Sequence, residues 1–273
     1  MATGLILVGV VVLVVLALTE PTTTLVTSPP ITSAAVRKEV ATVPPSVFDT
    51  VGIDAGTPLT SPVVLSGQPP LTVGHRSEVL FVGAEFSPFS AAERWALIVA
   101  LSRFGTFGSV SDMQSAADTV FPSVQTFSFV GYRYSSPLVV LAATEEYSAE
   151  PGVTGAYAHL GTPTPAEQAV IDRYVPLALP AGSEPPPVGP FPFVDIGNRL
   201  VTATSGFSPA VLVGRARGKV AGELQEPDQP ATMAIVAAAN ELTAGICATT
   251  GERPAAVCRS KGVEAADGAL GLP

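Results

Sequence analysis

Apolar residues are grouped along this chain in runs that predict buried strands and helices, separated by stretches rich in proline, serine and threonine. Val79 to Gly83 is a short apolar run of the kind that forms a fully buried strand. Ala91 to Gly105 has helical composition and ends on glycine, a common stop residue for a helix. The sequence therefore predicts a buried strand joined to a helix through the tight turn Ser87-Pro88-Phe89-Ser90.

The start of this helix has favourable local chemistry. Ser87 can cap the helix by accepting a hydrogen bond from a backbone N–H group, and Pro88 can occupy the first helical position. Capping alone would account for Ser87. We expect Trp95, about two helical turns further on, to anchor the core rather than to serve as a platform for a ligand.

The remaining pattern predicts further alternating elements. A capping box at Thr164-Pro165-Ala166-Glu167 predicts a helix to about Tyr174. The other expectations are a strand at 107–112, two strands at 123–130 and 132–144 joined by a turn at Gly131, a loop at 148–163, a Pro-rich loop at 176–190 and an Ala-rich helix at 230–249. Together they predict an α/β fold with a central mixed sheet flanked by helices.

The N-terminal stretch Gly4 to Leu18 is an unbroken apolar run of about 22 Å if helical, slightly short of a ~30 Å hydrocarbon core. We expect a single-pass membrane anchor. A cleaved signal segment remains an alternative, although no Ala-X-Ala site follows, and a core helix is disfavoured because the run has no polar face. Residues 20–64 are rich in Pro, Thr and Ser and are expected to form a tether and a wrapping segment with a short helix near residues 46–51.

Charge and cysteine content narrow the class of protein. The 273-residue chain has a formal net charge of −9, which disfavours nucleic acid as a partner because nucleic-acid binding needs a basic face. Cys247 and Cys258 are expected to form a local disulfide, which implies an oxidising compartment; a redox pair or metal ligation are the alternatives. His75 and His159 lie in predicted loops without the partners of a hydrolase or metal site, so we expect no catalytic residues, no metal and no cofactor.

The segment from Val82 to Leu97, with its turn Ser87-Pro88-Phe89-Ser90, resembles the signature of domain-of-unknown-function family 929. Members of this family are typically membrane-anchored, are thioredoxin-like, and carry Cys-Pro-X-Cys in the turn. Further segments that resemble the family are 103–108, 126–129, 192–199 and the tail from 246 to 258, so that the likeness covers roughly residues 65 to 260. The departure is that Ser87 and Ser90 stand where both family cysteines would be.

The resemblance implies a thioredoxin-like domain at 65–260, between the anchor at 1–19 with its tether and a flexible tail at 261–273. In such a fold a cis-proline lies beside the active-site turn, and Pro192 is well placed for that role, although an X-Pro bond costs only ~0.5–1 kcal/mol to hold cis and sequence does not fix the isomer. We expect a binding groove formed by Ser87, Pro88, Phe89, Ser90, Phe191 and Pro192. Beside it, Asp195 and Arg199 are expected to form an ordinary ion pair at a strand end.

Two functions are compatible with serine at both positions where the family carries cysteine. The first is a non-catalytic, membrane-tethered module on the extracytoplasmic side, which binds a protein partner as an accessory or assembly subunit of a membrane complex. The second is a thiol–disulfide oxidoreductase lineage whose redox cysteines were lost or exchanged for serine. A third possibility is that Cys247 and Cys258 are themselves the redox pair.

Overall fold

A mixed sheet flanked by helices forms the centre of the protein in the computed structural model, which describes residues 30–179 and 189–272. The sheet has six strands in the order β1-β10-β9-β3-β2, with β6 on the other edge of β3. The strands are β1 (Val63–Val64), β2 (Thr72–Val73), β3 (Arg76–Gly83), β6 (Val139–Glu145), β9 (Phe193–Ile196) and β10 (Leu200–Thr202). β3 is parallel to β6 and antiparallel to β9, and β10 is antiparallel to β9.

Helices cover both faces of this sheet. α1 (Ala34–Ala41), α2 (Pro45–Val51), α3 (Pro88–Ser102), α6 (Pro230–Thr250) and α8 (Lys261–Leu270) contribute to the larger hydrophobic core. α4 (Pro165–Ala178) packs on a second, smaller core with Leu80, Val82 and Phe193. The alternation of side chains along β3 explains the two cores, since Val79 and Phe81 join the larger core whereas Leu80 and Val82 join the smaller one. The short helices α5 (Arg217–Glu223) and α7 (Ala255–Cys258) complete the helical set, with a 3₁₀ turn at Pro209–Leu212.

Two hairpins lie outside the main sheet, and both correct the sequence-based predictions. β4 (Thr106–Gln114) pairs with β5 (Gln125–Ser135), which runs on through Gly131 instead of turning there. Gly131 has a φ of 66°, and the register shifts opposite it indicate a bulge within one strand. The predicted loop at 148–163 contains a second hairpin, β7 (Tyr147–Pro151) with β8 (Tyr157–His159).

The ends of the described chain are more ordered than predicted. α1 lies within the segment expected to be a tether, and α2 covers the predicted short helix near residues 46–51. Residues 261–270 form α8 instead of a flexible tail, and Val263 and Ala266 are buried in it. The predicted anchor at Gly4 to Leu18 and most of the predicted Pro-rich loop at 176–190 lie outside the described residues.

Within the described ranges, α6 is the helix that is long and apolar enough to cross a membrane, and 89% of its most apolar window is buried inside the protein. Its residues pack against α3, β3, β9 and α8. By length, composition and burial it matches a core helix of a folded domain.

Candidate functional site

The turn between β3 and α3 has the predicted local structure. Ser87 caps α3 by accepting a hydrogen bond from the Ser90 N–H at 3.2 Å, and Pro88 is the first helical residue. The Ser87 N–H donates to the carbonyl of Ala84 at 3.1 Å, which closes the turn. Glycine suits the end of β3, because a Cβ on Gly83, even that of alanine, would lie 2.5 Å from the Phe81 ring.

The turn and Pro192 lie next to each other, as the resemblance to the family implies. The Ser87 hydroxyl donates a hydrogen bond to the carbonyl of Phe191, with an oxygen–oxygen distance of 3.3 Å. The bond between Phe191 and Pro192 is cis. These contacts join two segments that are 104 positions apart in the sequence.

The chemistry open to Ser87 is limited by these hydrogen bonds. Its hydroxyl accepts from one backbone group and donates to another, and it is 5% exposed. A serine becomes a nucleophile when a general base takes its proton, whereas here the proton is directed at a carbonyl oxygen. The geometry therefore favours a structural hydroxyl over a catalytic one.

The six residues of the predicted groove differ in their access to solvent. Ser90 is fully buried, and its hydroxyl accepts a hydrogen bond from the Ala84 N–H at 3.4 Å. Pro88 and Pro192 are also buried, while Phe89 and Phe191 are half-buried. A partner at this place would therefore contact the two phenylalanines first, and it would not reach Ser90 in this conformation.

An aromatic cluster surrounds the turn. The Phe86 ring stacks on Tyr157 at 4.4 Å between centroids and lies edge-on to Phe191 at 6.2 Å. Tyr147 adds a third contact, at 6.0 Å from Phe191. We call Phe86, Tyr147, Tyr157 and Phe191 the aromatic face; all four rings are half-buried.

Sequence reasoning missed Tyr157 because 148–163 was taken as loop, and Tyr147 lies between that loop and the predicted strand at 132–144. The signal was present in the spacing of the segment. Tyr157 and His159 alternate around Ala158, and Pro151-Gly152 and Gly155 are typical turn residues between two short strands. On the other side of the turn, Phe89 packs against Phe121 of the β4–β5 loop at 5.8 Å.

Buried charges lie directly behind the turn. Arg94 and Glu145 form a bidentate ion pair, in which Nε lies 2.7 Å from Oε1 and Nη2 lies 2.5 Å from Oε2. Their side chains are 0% and 1% exposed. The same Nη2 donates to the carbonyl of Ala84 at 3.1 Å, so the pair also supports the turn. Burial raises the pKa of Glu85, and the hydrogen bond from Ser128, 2.5 Å long, opposes that rise.

Two buried glutamates, Glu93 of α3 and Glu241 of α6, lie near each other. Burial raises the pKa of Glu93 to about 7, and nearby Glu241 adds to the rise. The Glu93 carboxyl accepts a hydrogen bond from the Gly206 N–H at 2.9 Å, and Glu241 accepts one from Ser61 at 2.6 Å. Sequence reasoning did not single out these groups, although charged residues within an apolar helix are a signal for buried polar contacts.

The predicted ion pair between Asp195 and Arg199 is not formed. Asp195 is fully buried and accepts a hydrogen bond from the Asn198 N–H at 2.7 Å, while Arg199 donates to the carbonyl of Gln68 at 3.4 Å. Burial raises the pKa of Asp195 to about 7. The ion pair is missing because β9 and β10 are joined by a tight hairpin turn, in which Gly197 and Asn198 both have positive φ. Asp195 accepts a hydrogen bond from the backbone of this turn instead of pairing with a side chain.

The cysteines are joined to each other and do not contribute to the serine turn. Cys247 and Cys258 form the predicted disulfide between α6 and α7, and they are 2% and 4% exposed. This burial is typical of a structural disulfide and disfavours the two cysteines as an accessible redox pair. In the described ranges no group of three or more His, Cys, Asp or Glu residues could hold a metal ion; His159 instead packs edge-on to Tyr147 at 5.6 Å.

Comparison with known proteins agrees with the resemblance seen in the sequence. The family model described as "Domain of unknown function (DUF929)" matches residues 62–248, which is more than half of the chain. No curated protein and no solved structure matches the chain. The matched range includes β3, the Ser87 turn, the aromatic face and Pro192, and the chain therefore belongs to this family of domains of unknown function.

Proposed function

We propose that this protein is a thioredoxin-like module without redox chemistry, which binds a segment of a partner protein at the Ser87 turn. The fold assignment is supported by the connectivity of four strands and three helices. α3 and then the β4–β5 hairpin lie between the parallel strands β3 and β6 in the chain, α4 leads to the hairpin of β9 and β10, and α6 follows that hairpin. Apart from the β4–β5 hairpin, this is the order of elements expected for a thioredoxin-like domain.

The observation that carries the functional proposal is the contact between Ser87 Oγ and the Phe191 carbonyl at 3.3 Å. This hydrogen bond joins the turn at the start of α3 to the cis-proline segment. In a thioredoxin-like fold, these two segments together present the reactive atoms. Thiol–disulfide exchange needs a thiolate, and neither Ser87 nor Ser90 can supply one. A surface that keeps this arrangement without sulfur is suited to holding a partner segment.

We further propose that the domain is tethered at the membrane on the extracytoplasmic side. The support is the apolar run Gly4 to Leu18, which lies outside the described residues, and the disulfide of Cys247 with Cys258. Disulfides persist in oxidising compartments and are rare in the cytosol. The partner would then be a protein at the same membrane surface.

Co-purification from native membranes tests the binding proposal. The full chain is extracted in mild detergent as wild type and as the variants Phe89→Ala and Leu177→Ala. Phe89 is half-buried at the tip of the turn, while Leu177 on α4 is 56% exposed and serves as the control. We expect a partner that remains with wild type and Leu177→Ala and is depleted with Phe89→Ala. No stable partner, or equal recovery with all three, would contradict the proposal.

The alternative function is an oxidoreductase lineage that has lost its cysteines. It is favoured by the position of Ser87 at the start of α3, where the partial positive charge of a helix N-terminus would stabilise a thiolate. The test is the double variant Ser87→Cys with Ser90→Cys in the full chain. If the alternative holds, the folded variant reduces insulin disulfides with dithiothreitol as electron donor, and wild type does not. A folded variant with no activity would exclude a latent redox site.

A further inference from the structure

We infer that the partner segment bound at the aromatic face carries a positively charged side chain, arginine or lysine, next to apolar residues. The inference rests on the proposed function and names the chemistry of the partner. It follows from the rings of the aromatic face, the carboxylates around them and the positions of the basic residues in the chain.

The aromatic face offers ring surfaces to a cation. The centroid of the Phe86 ring lies 4.4 Å from that of Tyr157 and 6.2 Å from that of Phe191, and all three residues remain half-buried. In the described part of the chain, the guanidinium groups that lie over aromatic rings are over Phe48, Phe81, Phe127 and Tyr174. The rings beside the turn have no such internal cation, although a ring attracts a cation at its face.

Carboxylates flank these rings. The Tyr157 hydroxyl donates to Asp118 of the β4–β5 loop at 3.3 Å, and Glu150 lies on β7 of the same hairpin as Tyr157. The pKa of Tyr157 is raised by burial first, and then by Asp118 and Glu150, so both carboxylates lie close to that ring. Asp118 and Glu150 are exposed, which leaves them accessible to a partner.

The loops at this end of the molecule carry no compensating lysine or arginine. Residues 84–91, 115–124, 146–163 and 189–193 contain the acidic residues Glu85, Asp118, Glu146 and Glu150 and no lysine or arginine. The chain as a whole has a formal net charge of −9. A surface with charges of one sign attracts a partner of the opposite sign and raises its association rate.

Exposed apolar residues on the same two loops indicate that the partner segment also carries apolar side chains. Val120 on the β4–β5 loop is 75% exposed and Val153 at the tip of the β7–β8 hairpin is 105% exposed. The Tyr157 hydrogen bond to Asp118 connects these two loops. A segment that places an arginine or lysine between apolar side chains would match both features, whereas an anionic lipid surface would be repelled by the exposed carboxylates of Asp118 and Glu150.

Selection from a random library of nine-residue peptides tests the inference without knowledge of the natural partner. The full-length protein is used in detergent micelles, and Tyr157→Ala identifies which peptides need the aromatic face. We expect the selected peptides to contain arginine or lysine beside apolar residues. For one of them, replacing arginine by the uncharged citrulline should weaken binding on the order of three- to tenfold.

A matched pair of variants assigns this preference to the carboxylates. Asp118→Asn with Glu150→Gln should remove most of the difference between the arginine and citrulline peptides. Asp172→Asn with Glu264→Gln, which changes the net charge equally at exposed positions on α4 and α8, should retain it. If peptides bind in a Tyr157-dependent manner without preference for a basic residue, the inference is overturned and the binding function stands. If no peptide depends on Tyr157, both are overturned.

Discussion

Ser87 shows how one side chain can carry both a structural and a functional interpretation. Its role as helix cap follows from the local sequence and is confirmed by the bond from the Ser90 N–H. Its second bond, to the Phe191 carbonyl, depends on the packing of a segment 104 positions away. Local patterns could predict the first contact, while the second required the resemblance to a family to be anticipated.

Buried carboxyl groups are the residues whose behaviour differs most from what their type suggests. Glu93 has a pKa of about 7 because it is buried. An unfolded glutamate loses its proton near pH 4.5, so folding binds a proton between that pH and about 7. Ionised Glu93 therefore destabilises the fold, and the free energy of unfolding should fall as the pH rises through this window.

The variant Glu93→Gln tests this pH dependence. Glutamine keeps an oxygen that can accept from the Gly206 N–H. At pH 8 the variant should be more stable than wild type by up to about 3 kcal/mol, and near pH 4 the two should be similar. The measurement is urea denaturation at both pH values, with Glu264→Gln on the exposed surface of α8 as control. A stability gain that is equal at both pH values would refute the assignment to Glu93 ionisation.

The ion pair of Arg94 and Glu145 leads to a second prediction at the residue scale. Both side chains are removed from water, at 0% and 1% exposure. Arg94→Met leaves a carboxylate buried alone and should cost about 3–5 kcal/mol. Adding Glu145→Gln removes the stranded charge while keeping an acceptor for the Phe129 N–H, and should restore much of the loss. Denaturation of the two single variants and the double variant measures this; simple additivity of the losses would contradict it.

At the scale of elements, the strongest sequence patterns predicted the structure best. The capping box at Thr164 does begin α4, although the helix runs to Ala178 with Pro176 inside it, beyond the predicted end. The Ala-rich helix occurs as α6 at Pro230–Thr250. Trp95 is fully buried in α3 and donates to the Gln125 carbonyl at 3.0 Å, as expected of a core anchor.

Strand pairing was harder to predict than the position of helices. The run from 123 to 144 was divided at Gly131, because glycine after a β-rich segment is a typical turn signal. The turn actually lies at 136–138, where the Ser136 hydroxyl accepts from the Leu138 and Val139 N–H groups. β4 pairs with β5 on both sides of Gly131, and this pairing distinguishes a bulge at Gly131 from a turn there. Such pairing is nonlocal information.

The packing of α8 gives a prediction at the element scale. A Cβ on Gly262 would lie 2.2 Å from the Phe48 carbonyl oxygen of α2, whereas one on Gly268 of the same helix would meet nothing within 4 Å. Gly262→Ala should therefore destabilise the protein by roughly 1–3 kcal/mol through overpacking. Gly268→Ala should be neutral or stabilise by up to about 1 kcal/mol, since alanine favours helix. Thermal denaturation of both variants checks this, and equal effects would mean that α8 does not pack on α2 as described.

At the scale of the whole molecule, the sequence predicted the sheet flanked by helices and the meeting of the Ser87 turn with Pro192. It did not predict that the β7–β8 hairpin and the β4–β5 loop would border that place. Both additions bring aromatic and acidic residues, including Tyr157 and Asp118, to the turn. The β7–β8 hairpin, which local patterns had treated as loop, and the β4–β5 loop therefore add an acidic, aromatic border to the predicted turn.

Photocrosslinking in native membranes is the decisive test of partner binding at the Ser87 turn. A benzophenone amino acid is placed at position 89, at the tip of the Ser87 turn, or at position 177 on exposed α4 as control. We expect a discrete crosslinked protein from position 89 that is absent from position 177. No adduct from position 89, or the same adducts from both positions, would show that the turn does not bind a partner.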